Sequence, residues 1–131
     1  MVESVLNEKL IEDGRSLVQS LDDSGIDVQG ALWFYFSEQS LWRLLIETPM
    51  VESAGPRDTY SKIQSSLSKL KKQGNSLSLD EVALAKPEAD LLKLLRLMVS
   101  TDSGLHSMRF SNNMINGQLI EDAFIYRLKK K

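Results

Sequence analysis

Side chains that could take part in catalysis or bind a metal are few in this sequence and lie far apart. His106 is the one histidine in 131 residues, and there is no cysteine, which excludes disulfides, thiolate zinc sites and cysteine nucleophiles. Catalysis by His106 would require an oriented partner, and a metal site would require companion ligands. Because no second ligand stands at a suitable spacing, we expect His106 to be a surface or edge residue.

Acidic residues occur as adjacent pairs, of which Asp80-Glu81 is the best candidate for a metal site. A loop there could turn both carboxylates inward, whereas Glu121-Asp122 lies in a predicted strand, where neighbouring side chains point to opposite faces. A two-metal centre would require carboxylates from several elements. We therefore predict no metal, no cofactor and no catalytic residue, and we expect the acidic pairs to be solvated surface charge.

Nucleophile and phosphate-binding motifs do not occur. No serine lies in a G-x-S-x-G or S-x-x-K motif, and neither phosphate-loop pattern is present. An enzyme of unrecognised type stays an alternative, with Arg57, Tyr60, Asp80, Glu81 or His106 in one cleft. This alternative requires those side chains to share a pocket in space.

The segment Gly55-Pro56-Arg57 is a candidate anion-binding site because it precedes a predicted helix. A helix N-terminus offers amide groups and the positive end of the helix dipole. The Arg57 guanidinium can bind a phosphate or carboxylate through two hydrogen bonds, and Tyr60 follows one turn later. The simpler interpretation, which we favour, is a glycine–proline helix start in which Arg57 pairs with a nearby acid.

Basic residues are unevenly distributed along the chain. Residues 1–50 carry nine acidic and three basic side chains, whereas residues 51–131 carry nine acidic and thirteen basic ones. Lys69, Lys71 and Lys72 near a predicted helix end, with the lysines at 129–131, indicate a nucleic-acid-binding accessory protein as an alternative function. Lysine-rich helix ends are also common on soluble proteins, and we expect residues 129–131 to be a frayed basic tail.

An amphipathic helix is predicted over 2–23. Its leucines at 6, 10, 17 and 21 form one stripe, and Gly25 suits the left-handed position that ends a helix. Gly14 lies in the gap between Leu10 and Leu17, although glycine destabilises a helix by about 1 kcal/mol relative to alanine. We therefore expect a neighbouring element to approach this helix closely at Gly14.

Two further helices are predicted between residues 53 and 100. The first of them has Ser53 as its N-cap and Pro56 in its first turn, and it ends at Gly74. The other begins at Lys86-Pro87 and continues to residue 100, with apolar side chains around nearly its whole circumference. A helix this apolar is expected to be central or covered. Residues 77–84, between the two, form either a strand or an extended loop.

Two strands joined by a polar turn are predicted at 28–36 and 41–48. The first strand is apolar on both faces: one face carries Leu32, Phe34 and Phe36, and the other carries Trp33 and Tyr35. In a sheet with one face exposed to water, each strand should alternate apolar and polar residues. Both faces of this strand must therefore be covered, either by helices or by a second chain.

The C-terminal segment predicts a β-hairpin whose turn is Asn116-Gly117. This dipeptide strongly favours a two-residue turn. The register that follows places apolar residues opposite one another, which supports it. The opposed pairs are Met108–Ile125, Phe110–Ala123 and Met114–Leu119.

Together these elements predict an α+β fold, with a mainly antiparallel sheet of four or five strands and three helices in the order α-β-β-α-(β)-α-β-β. All 131 residues are expected to form a single domain. No stretch is long and apolar enough to cross a bilayer, and the lack of cysteine fits a cytoplasmic location.

The function that the sequence favours is a non-catalytic protein-interaction module that self-associates as a homo-oligomer, most simply a homodimer. Aromatic residues are enriched at protein interfaces. The candidate interface is therefore Trp33 and Tyr35, with Trp42 beside them. The alternative is that the chain's own helices bury these rings as core.

Overall fold

The computed structural model describes residues 5–86 and 89–130, and it confirms the predicted α+β fold. The helices are α1 (Glu8–Asp23), α2 (Met50–Ser53), α3 (Pro56–Lys71) and α4 (Asp90–Arg96). The strands are β1 (Gly30–Phe36), β2 (Leu41–Glu47), β3 (Val82–Ala85), β4 (Met108–Ile115) and β5 (Gln118–Leu128). The short helix α2 is an addition to the predicted order. None of the described helices combines the length and apolar character that crossing a membrane requires.

The five strands form one sheet in the order β3-β2-β1-β5-β4. Three of the pairings are antiparallel, as predicted, whereas β2 and β3 are parallel, so the sheet is mixed. The parallel pair is possible because the chain passes through α2 and α3 between these strands, and parallel strands need such a long connection. The segment 77–84 contains a 3₁₀ turn (Leu79–Glu81) followed by β3.

The β4–β5 hairpin has the predicted register. Asn116 and Gly117 both have positive φ, 49° and 79°, as a type I′ turn requires. The opposed residues include Met108–Ile125, Phe110–Ala123 and Met114–Leu119. The turn signal and the apolar pairing therefore sufficed to align the two strands.

Two helices begin later than the sequence predicts. The helix α1 starts at Glu8, because the Asn7 side chain accepts a hydrogen bond from the first turn and caps it. Residues 1–4 lie outside the described part of the chain. Ser53 belongs to α2 and is not the cap of α3. That position is taken by Gly55, at φ 88°, and Pro56 is the first residue of α3.

The helix α4 is shorter and less buried than the apolar pattern predicts. It ends at Arg96, and residues 87 and 88 lie outside the described part. Leu92 and Leu95 are buried, but Leu97 is 65% exposed and Met98 is 49% exposed. The prediction of a central or covered helix is therefore wrong. The helix lies on the surface and buries only one side.

The two faces of the sheet are covered by different helices. Residues of α1 and α3 pack on one face, which carries Trp33 and Tyr126. Residues of α4 pack on the other face, which carries Leu32 and Ile125. We call them the α1 face and the α4 face.

Gly14 allows α1 to lie very close to the sheet, as its position in the apolar stripe predicts. A β-carbon here would collide with the Tyr126 hydroxyl oxygen and lie 2.8 Å from Trp33 Nε1. These two groups are hydrogen-bonded: the Trp33 indole donates to the Tyr126 hydroxyl over 2.9 Å. The hydroxyl in turn donates to the Ile11 carbonyl over 2.6 Å. Because glycine has no side chain, α1 can approach the sheet closely enough for the Tyr126 hydroxyl to bind the Ile11 carbonyl.

The substitution Gly14→Ala is expected to lower the free energy of unfolding by up to about 2 kcal/mol, because overpacking that costs up to about 3 kcal/mol outweighs the roughly 1 kcal/mol that alanine adds to a helix. Urea unfolding followed by circular dichroism measures this difference. The matched control is Ser16→Ala, at an exposed position of the same helix, which should be neutral or slightly stabilising. A Gly14→Ala protein as stable as the wild type would contradict the tight contact.

Candidate interaction surface

The rings predicted to form an interface are largely covered by the chain's own helices. Trp33 is fully buried, Trp42 is 4% exposed and Tyr35 is half-buried. All three pack in the core of the α1 face, to which α1 and α3 contribute. Trp33 and Trp42 therefore offer almost no surface to a second chain, and the structure does not support an interface at these two residues.

The α4 face is the less covered side of the sheet. Four large apolar residues of its strands pack against the core and stay only partly buried: Phe34, Phe36, Met108 and Phe110. We call these four residues the open patch. The rings of Phe34 and Phe36 meet edge to face, with centroids 5.0 Å apart.

Strand register places three of the four residues of the open patch on two adjacent rows across the sheet. Phe34 and Phe110 both pair with Ala123, so a small, fully buried side chain lies between two large rings. In the next row, Met108 pairs with Ile125. The patch is therefore a continuous surface made by β1, β5 and β4.

The open patch stays uncovered because α4 is short and is anchored toward the other end of β1. The Arg96 guanidinium donates to the buried Glu47 carboxylate over 2.6 and 3.3 Å, and Arg96 Nε donates to the Lys129 carbonyl over 2.7 Å. Glu47 pairs with Gly30 at the start of β1, whereas Phe36 is the last residue of β1. A helix of seven residues is about 10 Å long, while β1 spans about 20 Å. The prediction of a frayed tail at residues 129–131 is wrong for Lys129, because its backbone carbonyl accepts this hydrogen bond from Arg96.

Exposed apolar residues also lie near the tip of the β4–β5 hairpin, and one of them, Leu119, borders the open patch. Met114 and Leu119 are 65% and 49% exposed and lie opposite each other. A depression of about 270 Å³ is lined by Leu119 together with Phe34 and Phe36. The apolar surface therefore extends from the sheet to Leu119 on the hairpin.

Charged side chains lie at the rim of the open patch. Arg43 is the strand neighbour of Phe34, and its guanidinium donates to the Asp80 carbonyl over 2.7 Å. Glu38 and Glu121 line the depression at the end of β1. An apolar centre with a charged rim is typical of protein–protein interfaces.

The predicted anion-binding residues have separate environments. Arg57 is exposed, whereas the Tyr60 hydroxyl accepts a hydrogen bond from the Leu84 amide over 3.1 Å. Tyr60 therefore ties α3 to the edge strand β3, a role that sequence spacing could not indicate. Anion binding at Gly55 and Arg57 stays a prediction.

The predicted nucleic-acid-binding lysines are exposed around the end of α3. Lys69 and Lys71 border two different depressions, one beside α1 and one beside the loop 75–79, and Lys72 is exposed. Lys129 lines a third depression with Asp22. Nothing in these positions joins the lysines into one basic surface, and nucleic-acid binding stays a prediction.

Several acidic residues predicted to be solvated charge are structural partners. Glu81 is buried and accepts hydrogen bonds from the Ser78 amide and hydroxyl over 3.0 and 3.1 Å, which forms a capping box. The Asp80 carboxylate also accepts from the Ser78 hydroxyl. Asp13 is buried and binds Lys9 over 2.7 Å. Within residues 5–86 and 89–130, no group of three histidine or acidic side chains could hold a metal ion.

His106 has a carboxylate partner in the loop before β4. Its Nε2 lies 2.8 Å from Asp102 Oδ1, and its backbone amide donates to the Tyr126 carbonyl over 2.7 Å. The hydrogen bonds of Tyr60 and Glu81 both involve the segment 78–84, whereas those of His106 go to Asp102 and to the Tyr126 carbonyl. These contacts do not bring the residues of the enzyme alternative into one cleft.

Comparison with known proteins adds no function. No protein-family model matches the chain, and no similar curated protein or solved structure was found. The open patch was missed at the sequence level, although Phe34 and Phe36 are in the strand whose two faces are both apolar.

The pKa of the Asp102 carboxyl is expected to lie below its ordinary value of 3.8, because the charged form accepts hydrogen bonds from His106 and from the Gly104 amide. The pH dependence of the Asp102 ¹³Cγ shift measures this pKa, which should rise toward 3.8 in His106→Ala. A lowered pKa means that the contact stabilises the fold at pH values above 3.8, and that this contribution is lost as the pH falls through the folded-state pKa. Ser103→Ala in the same loop is the control. An Asp102 pKa that His106→Ala leaves unchanged would argue against the pairing.

Proposed function

We propose that this protein is a non-catalytic interaction module that forms a homodimer through the open patch. The observation that carries the proposal is the uneven coverage of the sheet. Two helices of 16 residues pack on the α1 face, whereas one helix of seven residues packs on the α4 face. Large apolar side chains are left partly exposed to water. Covering them is favourable by about 25 cal/mol of free energy per Å² of apolar surface buried.

The composition of the open patch supports a protein partner. Phenylalanine and methionine are enriched at protein interfaces, and charged residues are depleted at their centres. Residues that dominate binding energy tend to be large, central and surrounded by a rim that excludes water. Phe34 and Phe110 flank Ala123 at the centre of the patch, and the charged residues Arg43, Glu38 and Glu121 lie outside them.

A second copy of the chain is the partner that the charges favour. A two-fold interface brings the same surface together from both copies, so it must be complementary to itself. The uncharged centre meets this condition, and the rim carries both a base and acids, which can face each other across a two-fold axis. A partner with a strong charge of one sign would find no surface of uniformly opposite charge here.

The proposed contact is made by the face of the sheet and not by its open edge. β4 is an outer strand of the sheet, and an outer strand can add a strand from another chain. Asn112 in β4 has a φ of 53°, which interrupts the extended backbone that such pairing needs. At the other edge of the sheet, the Leu84 amide of β3 already donates a hydrogen bond to the Tyr60 hydroxyl, so this amide is not free to pair with a strand of another chain.

Sedimentation equilibrium at micromolar concentration tests the homodimer. The wild type is expected to sediment as a dimer, and Phe110→Lys as a folded monomer, because a charge at the centre of the contact would be buried without a partner. The matched control is Ser61→Lys, which adds the same charge at an exposed position of α3 and should leave the dimer intact.

Circular dichroism establishes that each variant is folded, and Phe36→Lys provides a second substitution within the open patch. Dissociation of both patch variants, with an intact dimer for Ser61→Lys, supports the proposal. A wild type that is monomeric throughout the concentration series overturns it. A dimer that survives both patch substitutions places the contact elsewhere and also overturns it.

A further inference from the structure

A further cavity lies on the α1 face, beside Leu6, just before α1 begins. It has a volume of about 290 Å³, and its lining includes Tyr35, Trp42, Arg109, Glu121 and Asp122. We call it the Trp42 pocket. It is at the small end of ligand sites, which occupy about 300–1,000 Å³, and its size suits a single side chain.

The inner wall of the Trp42 pocket is aromatic. Tyr35 and Trp42 are strand neighbours, and their ring centroids are 5.4 Å apart. Tyr35 is half-buried, so part of its ring faces the cavity. Aromatic rings attract cations through their negatively charged faces.

Arg109 shows that this wall already accepts a guanidinium. Its Cζ lies 5.4 Å from the centroid of the Trp42 ring. Its Nε and Nη2 each donate to the Asp122 carboxylate over 2.6 Å. The chain's own arginine thus combines an indole face with a carboxylate, which is the pair of contacts that a cationic ligand would use.

The charge of the Trp42 pocket favours a further cation over an anion. Arg109 is engaged by Asp122 through two hydrogen bonds, so its charge is already matched. Glu121 is exposed, and no hydrogen bond or ion pair links its side chain to another residue in the part of the chain that the structure describes. One carboxylate is left to attract a positively charged group.

We propose that the Trp42 pocket binds a basic side chain of a peptide, arginine or lysine. The aliphatic stem of that side chain lies against the Tyr35 ring, and its charged end pairs with Glu121. This site opens on the opposite face of the sheet from the open patch, but Tyr35 and Glu121 line both the Trp42 pocket and the depression beside the open patch. The two proposed contacts therefore share these two residues, although the binding of a basic side chain does not rest on the homodimer. The Trp42 pocket gives the protein a second surface, which recognises a basic segment of another protein.

Titration with the peptide acetyl-Gly-Arg-Gly-amide tests this site on the ¹⁵N-labelled full chain. The indole N–H signal of Trp42 is the reporter. The indole of Trp33 is the internal reference, because it is buried and hydrogen-bonded to Tyr126. The arginine peptide should shift the Trp42 signal to saturation while the Trp33 signal stays in place. The citrulline peptide, its uncharged analogue, should produce no saturable shift.

The variant Glu121→Gln should weaken the binding of the arginine peptide by about threefold to fivefold, as expected for a solvent-accessible ion pair. Glu52→Gln, which removes an exposed carboxylate of α2, is the matched control and should bind like the wild type. The proposal is overturned by an unmoved Trp42 signal, by equal binding of the citrulline peptide, or by a Glu121→Gln affinity equal to that of the wild type.

Discussion

The contact between α1 and the sheet depends on one buried chain of hydrogen bonds, from the Trp33 indole to the Tyr126 hydroxyl and on to the Ile11 carbonyl. Burial raises the pKa of Tyr126, so its hydroxyl stays protonated and continues to donate. Polar groups in a core destabilise a protein unless they are paired. The helix must therefore come close enough to offer its carbonyl, and only a glycine at position 14 permits this approach.

That constraint determines which parts of the sheet are covered and which stay partly exposed. The α1 helix covers Trp33 in the middle of β1. Two ion pairs lie at the end of the sheet where β1 begins: Asp22 with Arg127, and Glu47 with Arg96. The opposite end of the sheet, where β1 meets β2 through a turn, is less covered on both faces. The open patch lies there on the α4 face, and the Trp42 pocket lies there on the α1 face.

The features that the sequence predicted correctly depend on neighbouring residues or on one strong local signal. The Asn116-Gly117 turn and the alternation of apolar residues were enough to align β4 with β5. Gly14 indicated a close contact because glycine is unfavourable in a helix unless something requires it. The helix that begins near Pro56 followed from its glycine–proline start.

The features that the sequence did not predict depend on residues far apart in the chain. A strand that is apolar on both faces does not show which face receives the longer helices, so the sequence does not reveal that Trp33 is fully buried and that Phe34 stays partly exposed. The parallel partner of β2 depends on where the crossover through α3 returns. The extent of α4 depends on the anchoring of Arg96 by Glu47, which no local pattern contains.

The central claim is that the open patch is exposed to water in a single chain and covered in the homodimer. The ¹⁹F signal of 4-fluorophenylalanine at position 110 tests this most directly, through its shift between H₂O and D₂O at increasing protein concentration. The account predicts a solvent-dependent shift in dilute protein that disappears as the concentration rises. A solvent-dependent shift that stays the same at every concentration would contradict it.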